Sequence, residues 1–352
     1  MYIYIYNIIF VSLLALLIEA NKHTLDFKVR KRIFIFITSF HLILIEGLRA
    51  PTVGTDVEGY IYVYKNISIG SFSNVFDYRM EFGFVSLLKT LSLFHINIQT
   101  LLFLLSIFII LPVGYTIYRY SERPFLSFYS YITFGFYTAA FCTIRQHIAY
   151  GLVLLTLGSI KERKLLKFLL IVLLASIIHR SALVFLPAYF IGNINLTKKK
   201  FILVFFSLFI IIFSLRIPIT EFAIENYFIH FEIVMTNSYS WLAIGVLLLI
   251  TGLFRYKQVT YNNDNYIYYN FTATALLLMI MASVTSNALR IVDFYYIFLI
   301  LFIPSIFNKI QDKKLLVIVI YTLLSILGVM YIILLSKDSG YGITPYKFFW
   351  QE

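Results

Sequence analysis

The sequence is short of several residues and motifs on which many soluble proteins depend. Only 13% of its 352 residues are charged, and Cys142 is the single cysteine. One cysteine excludes an internal disulfide and any metal site built from several cysteines. The chain also lacks the glycine-rich loop that binds nucleotide phosphates and the His-Glu-x-x-His pattern of zinc proteases. We therefore expect neither ATP hydrolysis nor zinc proteolysis, and no cofactor or metal ion is indicated.

Apolar residues dominate what is present. They make up 61% of the chain, and its mean hydropathy is +0.86. Soluble domains contain only about 45–50% apolar residues. The predicted fold class is all-α, a polytopic bundle of transmembrane helices forming one integral membrane domain over residues 1–352. A crossing needs about 20 apolar residues. About twelve crossings are predicted, near residues 2–20, 33–48, 97–118, 125–142, 145–160, 165–178, 181–194, 201–217, 240–254, 266–284, 290–307 and 315–335.

The positive charge predicts how the bundle is oriented. A net charge of +12 on a soluble protein would suggest a nucleic-acid partner, but here 19 of the 29 Lys and Arg residues fall in alternate loops. Those loops are 21–32, 119–123, 161–167, 198–200, 255–257 and 309–314. The positive-inside rule makes them cytoplasmic. We therefore expect a bacterial cytoplasmic-membrane protein with both termini outside and no nucleic-acid partner.

Residues 49–94 form the largest predicted outer loop. Within it, segment 81–94 is too short and too interrupted by polar residues to cross a bilayer. Its pattern indicates an amphipathic helix that lies on, or dips into, the outer face.

Four arginines lie where predicted helices meet the outer face, against the charge trend of the chain. They are Arg49, Arg145, Arg180 and Arg290. An arginine at the centre of a bilayer costs about 2.5–3.5 kcal/mol on insertion scales. One alternative is that each side chain packs its stem and extends its head to water. Four together favour a site for phosphate or pyrophosphate, because guanidinium makes planar, always-charged, bidentate contacts.

Acids and a histidine fall on the same predicted side. Asp56 follows a turn-forming stretch of the outer loop, Glu81 begins the amphipathic segment, and His179 precedes Arg180 at a helix junction. Asn287, Arg290 and Asp293 are spaced three apart and share one helical face. Plainer interpretations remain open, namely an Arg290–Asp293 ion pair and a helix-end role for His179.

Five segments in order resemble the EpsG family, Wzy-like membrane polymerases of bacterial exopolysaccharide and capsule. They are LRAPTVGTDVEGY (48–60), MEFGFVSLLKTLS (80–92), FCTIRQHIAYGLVLL (141–155), IIHRSALVFLPAYFI (177–191) and SNALRIVDFYYIF (286–298). The resemblance implies a GT-C-like helical glycosyltransferase at the outer membrane face. Its partners would be undecaprenyl-pyrophosphate-linked oligosaccharides as donor and acceptor, membrane lipid, and chain-length regulator and flippase proteins.

The resemblance also implies roles for the outer residues. Arg145 and Arg290, with Arg49, would hold the diphosphate, while Arg180 and Asn287 are further substrate-binding candidates. The base that deprotonates the acceptor hydroxyl would be Asp56, Glu81 or His179, and the sequence leaves this choice open. No metal ligand is assigned.

Three other activities compete with polymerisation. A ligase of O-antigen type or a related mannosyltransferase would differ only in its acceptor. A transporter of lipid-linked sugars should place ionisable groups near the membrane midplane, often in repeated halves, whereas here they gather on the outer face and no repeat is visible. A membrane acyltransferase would use an intramembrane histidine, which His179 could supply.

Overall fold

The computed structural model describes residues 1–227, 239–260, 265–285, 288–307, 310, 312–337 and 340–351. Over these residues the chain is helical and contains no strand beyond one isolated antiparallel bridge between Arg49 and Phe348. The predicted all-α class is therefore confirmed. The α-helices are α1 (Tyr2–Ala20), α2 (Phe27–Gly47), α3 (Val57–Ile69), α4 (Phe82–Ser92), α5 (Ile98–Tyr120), α6 (Pro124–Thr133), α7 (Phe136–Ala140), α8 (Ile144–Leu155), α9 (Leu157–Lys161), α10 (Leu165–Ile178), α11 (Ala188–Asn193), α12 (Lys198–Tyr227), α13 (Tyr239–Phe254), α14 (Tyr256–Thr260), α15 (Tyr266–Met279), α16 (Leu289–Tyr296), α17 (Leu299–Ile306) and α18 (Lys313–Ser336).

Five helical stretches of the described chain are long and apolar enough to cross a membrane. They are Tyr2–Ala20, Ile98–Tyr120, Lys198–Phe222, Tyr266–Ser283 and Lys314–Ser336. The pair α16 and α17, bent by 44°, makes a sixth if it is counted as one span. None of the apolar window in α12 is buried within the protein, which leaves its side chains to face lipid. The membrane character is supported, and the count of twelve crossings is not confirmed.

Four predicted crossings are broken among the described residues, namely 125–142, 145–160, 181–194 and 290–307, and the prediction of one continuous helix was wrong in each case. The stretch 125–142 divides into α6 and α7 because Gly135 takes a left-handed conformation with φ of 83°. The stretch 181–194 divides into a 3₁₀ helix, Arg180–Phe185, and α11. Pro187 lies at that second break, where its missing N–H removes a helical hydrogen bond.

The long loop contains two packed helices rather than one. Helix α4 lies within the segment predicted to be an amphipathic helix, and it buries Phe84, Val85 and Leu88. Helix α3 was not predicted, although its buried Val57 and Tyr64 follow helical spacing. The two helices pack against each other, and α4 also packs against α10.

The bundle has two ends that differ in content. We call the end that carries residues 48–97 and 340–351 the loop end, and the end that carries residues 21–32, 119–123 and 161–164 the basic end. Side chains of the basic end donate to backbone carbonyls of neighbouring segments. Nζ of Lys31 donates to the Ser121 carbonyl at 2.6 Å, and Arg123 donates to the Phe307 carbonyl at 3.3 Å. All the described site candidates lie at the opposite, loop end.

Candidate functional site

Close backbone packing brings Glu81 to the end of α10. Glu81 is the extended residue before α4, and Gly83 follows two residues later. A Cβ atom at Gly83 would lie 2.7 Å from the Ile177 carbonyl oxygen, so only glycine permits this approach. His179 and Arg180 come directly after α10 and therefore meet Glu81. Nδ1 of His179 lies 3.3 Å from Oε1 of Glu81, and the backbone N–H of Arg180 donates to the same oxygen at 3.2 Å.

Arg145 completes this group from the first turn of α8. Its guanidinium forms an ion pair with Oε2 of Glu81, and its central carbon lies 5.6 Å from the Tyr60 ring centre. We call Tyr60, Glu81, Arg145 and His179 the loop-end cluster. The side chains of Glu81, Arg145 and His179 are 19%, 24% and 13% exposed, so the cluster is open to solvent but partly desolvated. Partial desolvation strengthens its charge interactions.

The cluster holds Glu81 in its charged form. Burial raises the pKa of Glu81, but the His179 ring and the positive charge of Arg145 oppose it and bring the pKa down to about 2. A carboxylate with so low a pKa is a weak proton acceptor at neutral pH. Burial raises the pKa of Tyr60 to about 12, against the effect of Arg145, so this phenol stays neutral. The geometry therefore suits Glu81 to orienting Arg145 and His179.

Asp56 lies between the cluster and a neighbouring cleft. It is exposed, directly precedes α3, and forms none of the ion pairs found among the described residues. Its charge acts on Tyr60 on one side and on Tyr341 of the C-terminal segment on the other. An exposed carboxylate in this position can reach a substrate that spans both groups.

The neighbouring cleft, which we call the tail cleft, has a volume of about 120 Å³. Its lining includes Phe134, Thr138, Trp241, Asp293 and Tyr341. Apolar and aromatic side chains make up most of the lining, and its polar side chains include Thr138 of α7, Asp293 of α16 and Tyr341 of the C-terminal segment.

The two charged residues of α16 are separately placed. Arg290 is exposed, whereas the Asp293 carboxylate accepts a hydrogen bond from the Tyr150 hydroxyl. That hydroxyl also lies 3.3 Å from the Arg290 carbonyl oxygen. The Arg290–Asp293 ion pair that the spacing allowed is not among the ion pairs of the described chain. The Arg290 guanidinium therefore remains available at the surface.

The other candidates are placed very differently. Arg49 is buried, only 1% exposed, and donates to the carbonyls of Glu46 at 2.6 Å, Phe141 at 3.2 Å and Val53 at 3.3 Å. This arrangement suits Arg49 to holding α2 against the end of α7 rather than to binding a ligand. The Arg180 side chain is exposed beside the loop-end cluster. Asn287 lies outside the described residues.

Sequence reasoning overlooked the tyrosines of the site. Tyr60, Tyr150 and Tyr341 all contact or face its charged groups, but the chain has 28 tyrosines and none of these stands out by type. One signal was present for Tyr341, which is flanked by Gly340 and Gly342 just beyond the last apolar run. Within the described residues, no group of three or more His, Cys, Asp or Glu side chains could hold a metal ion.

Comparison with known proteins adds one result. The sequence model of the EpsG family matches residues 32–348, which is nearly the whole chain and includes every candidate named above. No curated protein and no solved structure matches the chain.

Proposed function

Because the chain belongs to the EpsG family, a family of Wzy-like polymerases, we propose that it is the polymerase that joins oligosaccharide repeat units carried on undecaprenyl pyrophosphate. The reaction takes place at the outer face of the bacterial cytoplasmic membrane. The observation that carries this proposal is the family match over residues 32–348 together with the gathering of Glu81, Arg145 and His179 into one partly exposed cluster.

The proposed step is a direct glycosyl transfer. A hydroxyl oxygen of the acceptor sugar forms a bond to the anomeric carbon of the donor, and the bond from that carbon to the phosphate oxygen breaks. The hydroxyl proton passes to a protein base, and undecaprenyl pyrophosphate leaves with the electron pair. The leaving group supplies the driving force, so the reaction needs no nucleotide. Such a step requires a base for the hydroxyl and positive charge near the leaving group.

The geometry supports Asp56 as the base. Glu81 is already engaged by Arg145 and His179, and its pKa lies near 2. Both ring nitrogens of His179 are shielded from solvent. The Asp56 carboxylate is exposed, lies between the loop-end cluster and the tail cleft, and has no ion-pair partner among the described residues.

Three arginines supply the positive charge for the diphosphate in this proposal. Arg180 and Arg290 present exposed side chains, and Arg145 is oriented by Glu81. Guanidinium is suited to this task because it contacts phosphate oxygens in bidentate fashion and stays charged at any working pH. Glu81 and His179 then act as positioning residues, and Arg49 acts through the loop that carries Asp56.

The proposal includes a GT-C-like bundle of twelve passes with the loop end outside. Contacts support alternation of the chain between the two ends. Helix α1 begins at the loop end, where the Tyr4 hydroxyl donates to the Ile343 carbonyl. The chain that follows α1 lies at the basic end, where Nζ of Lys31 donates to the Ser121 carbonyl. Broken passages such as α6 with α7 cross in two short pieces, since buried backbone groups at a break can be satisfied by neighbouring helices.

Accumulated intermediates test the function in cells. Deleting the protein should leave single repeat units on the carrier lipid, exposed on the outer face. A flippase would leave the units on the cytoplasmic face, and a ligase would leave long polymer that is made but not attached. Chain-length regulator and flippase proteins are the expected partners, so their genes should be left intact in this experiment.

Purified protein in liposomes tests the chemistry. It should elongate lipid-linked repeat units extracted from the deletion strain, without nucleotide sugar, ATP or a proton gradient. One undecaprenyl pyrophosphate should be released for each glycosidic bond formed. A requirement for nucleotide sugar, or transport without a new bond, would contradict the proposal.

Single cysteines test the orientation. In a Cys142→Ala background, Ser73→Cys lies in the exposed part of the long loop and Thr24→Cys lies between α1 and α2. A membrane-impermeant thiol reagent should label Ser73→Cys in intact cells and Thr24→Cys only after permeabilisation. The reverse pattern would invert the proposed topology.

A further inference from the structure

The C-terminal segment is bound to the long loop by its backbone. We call residues 340–349 the C-terminal strap. Four backbone hydrogen bonds of 2.9–3.0 Å join it to the long loop. They run from the N–H groups of Ala50, Gly54, Thr55 and Phe349 to the carbonyls of Lys347, Gly342, Tyr341 and Leu48, respectively. The Tyr346 hydroxyl adds a bond to the Ile45 carbonyl at 2.7 Å. The strap therefore lies in register with the residues that lead into Asp56.

The strap packs tightly against the long loop at Gly342 but not at Gly340. Gly342 has φ of +59°, and a Cβ atom there would lie 2.8 Å from Cγ2 of Thr55. Gly340 has φ of +71°, but a Cβ atom there would meet nothing within 4 Å. Both positions carry the backbone strain that a side chain brings in the left-handed region. Only Gly342 adds a clash against the loop, so the two glycines form a matched pair for mutagenesis.

The single cysteine lies beneath this contact. Sγ of Cys142 is 3.1 Å from Oγ1 of Thr55, and that hydroxyl also donates to the Gly340 carbonyl at 3.2 Å. The Cys142 side chain is buried. Separation of the strap from the loop would remove the cover over the thiol, which makes Cys142 a natural reporter of strap position.

Tyr341 extends from the strap into the tail cleft. It lines the cleft with Asp293, and the charges of Asp293, Arg290 and Asp56 all act on its hydroxyl. Burial raises the pKa of Tyr341 to about 12, so the phenol is neutral and can both donate and accept a hydrogen bond.

The hydrogen-bonding groups and aromatic rings around Tyr341 suit a sugar as its ligand. Asp293 in the cleft lining and the exposed Asp56 nearby supply carboxyl oxygens that accept hydrogen bonds from sugar hydroxyls, while the exposed Arg290 is left for the diphosphate of the same substrate. The Phe134 and Trp241 rings in the cleft lining provide apolar surface on which the body of a sugar ring or an isoprenoid chain can pack. We propose that Tyr341 binds a sugar of the lipid-linked substrate in the tail cleft, so that the C-terminal strap is part of the substrate site. This inference rests on the proposed polymerase function.

Kinetics of Tyr341→Phe test the inference. Loss of one hydrogen bond to substrate should raise KM for the lipid-linked repeat unit about 3- to 10-fold. The kcat should stay within about 2-fold, because the base and the arginines are untouched. Tyr62→Phe, which removes the hydroxyl of an exposed tyrosine on α3, is the matched control and should keep the wild-type KM. A wild-type KM for Tyr341→Phe would overturn the inference.

Thiol labelling separates substrate binding from a merely structural role. Maleimide should modify Cys142 in Tyr341→Phe as slowly as in the wild type. Gly342→Ala should speed the modification by loosening the strap, and Gly340→Ala should do so less. If Tyr341→Phe labels as fast as Gly342→Ala, the tyrosine only holds the strap and the inference fails.

The rate of Cys142 modification can also report substrate binding when no glycosidic bond is formed. Lipid-linked repeat units should slow Cys142 modification in the wild type and should do so less in Tyr341→Phe. If the wild type forms no glycosidic bond but shows this difference, the polymerase function fails while the sugar site stands. If turnover is normal and substrate slows labelling equally in both proteins, the sugar site fails while the polymerase function stands.

Discussion

The two ends of the bundle hold their positive charges in different ways. At the basic end, Lys164 and Glu162 pair while both remain more than half exposed, at 62% and 53%. At the loop end, Arg145 and Glu81 pair while only 24% and 19% exposed. Exposed pairs contribute about 0–1 kcal/mol, whereas removing one partner of a desolvated pair leaves an uncompensated charge. The Lys164–Glu162 pair is therefore expected to contribute little, whereas loss of either partner of the Arg145–Glu81 pair is expected to be costly.

This difference separates two origins of basic residues in one chain. Arginines and lysines at the basic end follow the orientation rule for membrane proteins, in which number and position count, and some of them, such as Arg30 and Lys31, have specific partners as well. Arg49 and Arg145 at the loop end run against that rule and are held by specific partners, namely the Glu46, Phe141 and Val53 carbonyls around Arg49 and the Glu81 carboxylate beside Arg145. Substitutions that keep charge but change shape should therefore be tolerated at an exposed basic-end position such as Arg119 and harmful at Arg145.

The largest expected effect comes from the proposed base at the loop end. Asp56→Asn keeps the size of the side chain but removes its basicity, and should lower kcat about 10²–10⁴-fold. The control is Glu58→Gln, an equivalent change two residues away on the exposed side of the same helix start. Elongation of lipid-linked units by purified protein is the measurement. Near-normal turnover of Asp56→Asn would exclude it as the base and return attention to His179.

The next effect compares arginine with lysine at the two ends. Arg145→Lys keeps the charge but cannot contact Glu81, Tyr60 and a phosphate in the fixed geometry of the guanidinium. Activity should fall about 10- to 100-fold, as expected for loss of charge-assisted hydrogen bonds. Arg119→Lys makes the same change in an exposed arginine of the basic end and should be neutral. Equal activity of the two variants would contradict the distinction between the ends.

How far the sequence predicted these ends depends on the kind of signal that each feature leaves. Apolar runs and clustered lysines predicted the membrane bundle and the basic loops, and the pattern of residues 81–94 predicted α4. Arg145 could be selected because a positive charge on the outer side opposes the trend, and Glu81 and His179 because they fall on the same predicted side. The contacts among these three residues could not be predicted from the sequence, since they depend on the approach of Gly83 to Ile177.

The strap and the breaks in the helices left weaker signals. Backbone hydrogen bonds such as that from Thr55 to Tyr341 can be made by almost any sequence, so no residue pattern marks them. A glycine within an apolar run, such as Gly135, is common in membrane helices and does not reveal by itself that it adopts a left-handed conformation.

The dependence of stability and activity on pH tests the role of Glu81, with a smaller expected effect. Its folded pKa of about 2 lies below the ordinary value of 4.5. A lowered carboxyl pKa contributes stability that is fully present above the unfolded value and is lost as pH falls towards the folded value. The difference in thermal unfolding midpoint between wild type and Glu81→Gln should therefore be constant between about pH 5 and pH 9, and should shrink below about pH 4.5.

The wild-type activity profile should keep its acid limb in Glu81→Gln, because this carboxylate does not titrate in that range. A limb that moves with the substitution would show that Glu81 is the titrating base.

The smallest expected effect on activity comes from a buried lysine that serves the loop end without entering the site. Nζ of Lys89 on α4 donates to the carbonyls of Ile67 at 2.9 Å and Gly70 at 2.7 Å, which closes the C-terminal end of α3. Lys89→Met fills a similar volume but leaves these carbonyls unpaired, at a cost of about 1–3 kcal/mol in the free energy of unfolding. The unfolding midpoint in detergent should fall, while turnover per folded molecule should stay within about 2-fold, because the contacts of Arg145 and Glu81 are made elsewhere on α4 and α8. Lys65→Met, at an exposed lysine on α3, should change neither quantity. A large loss of turnover in Lys89→Met at unchanged stability would mean that positive charge itself, rather than its partners, decides function at the loop end.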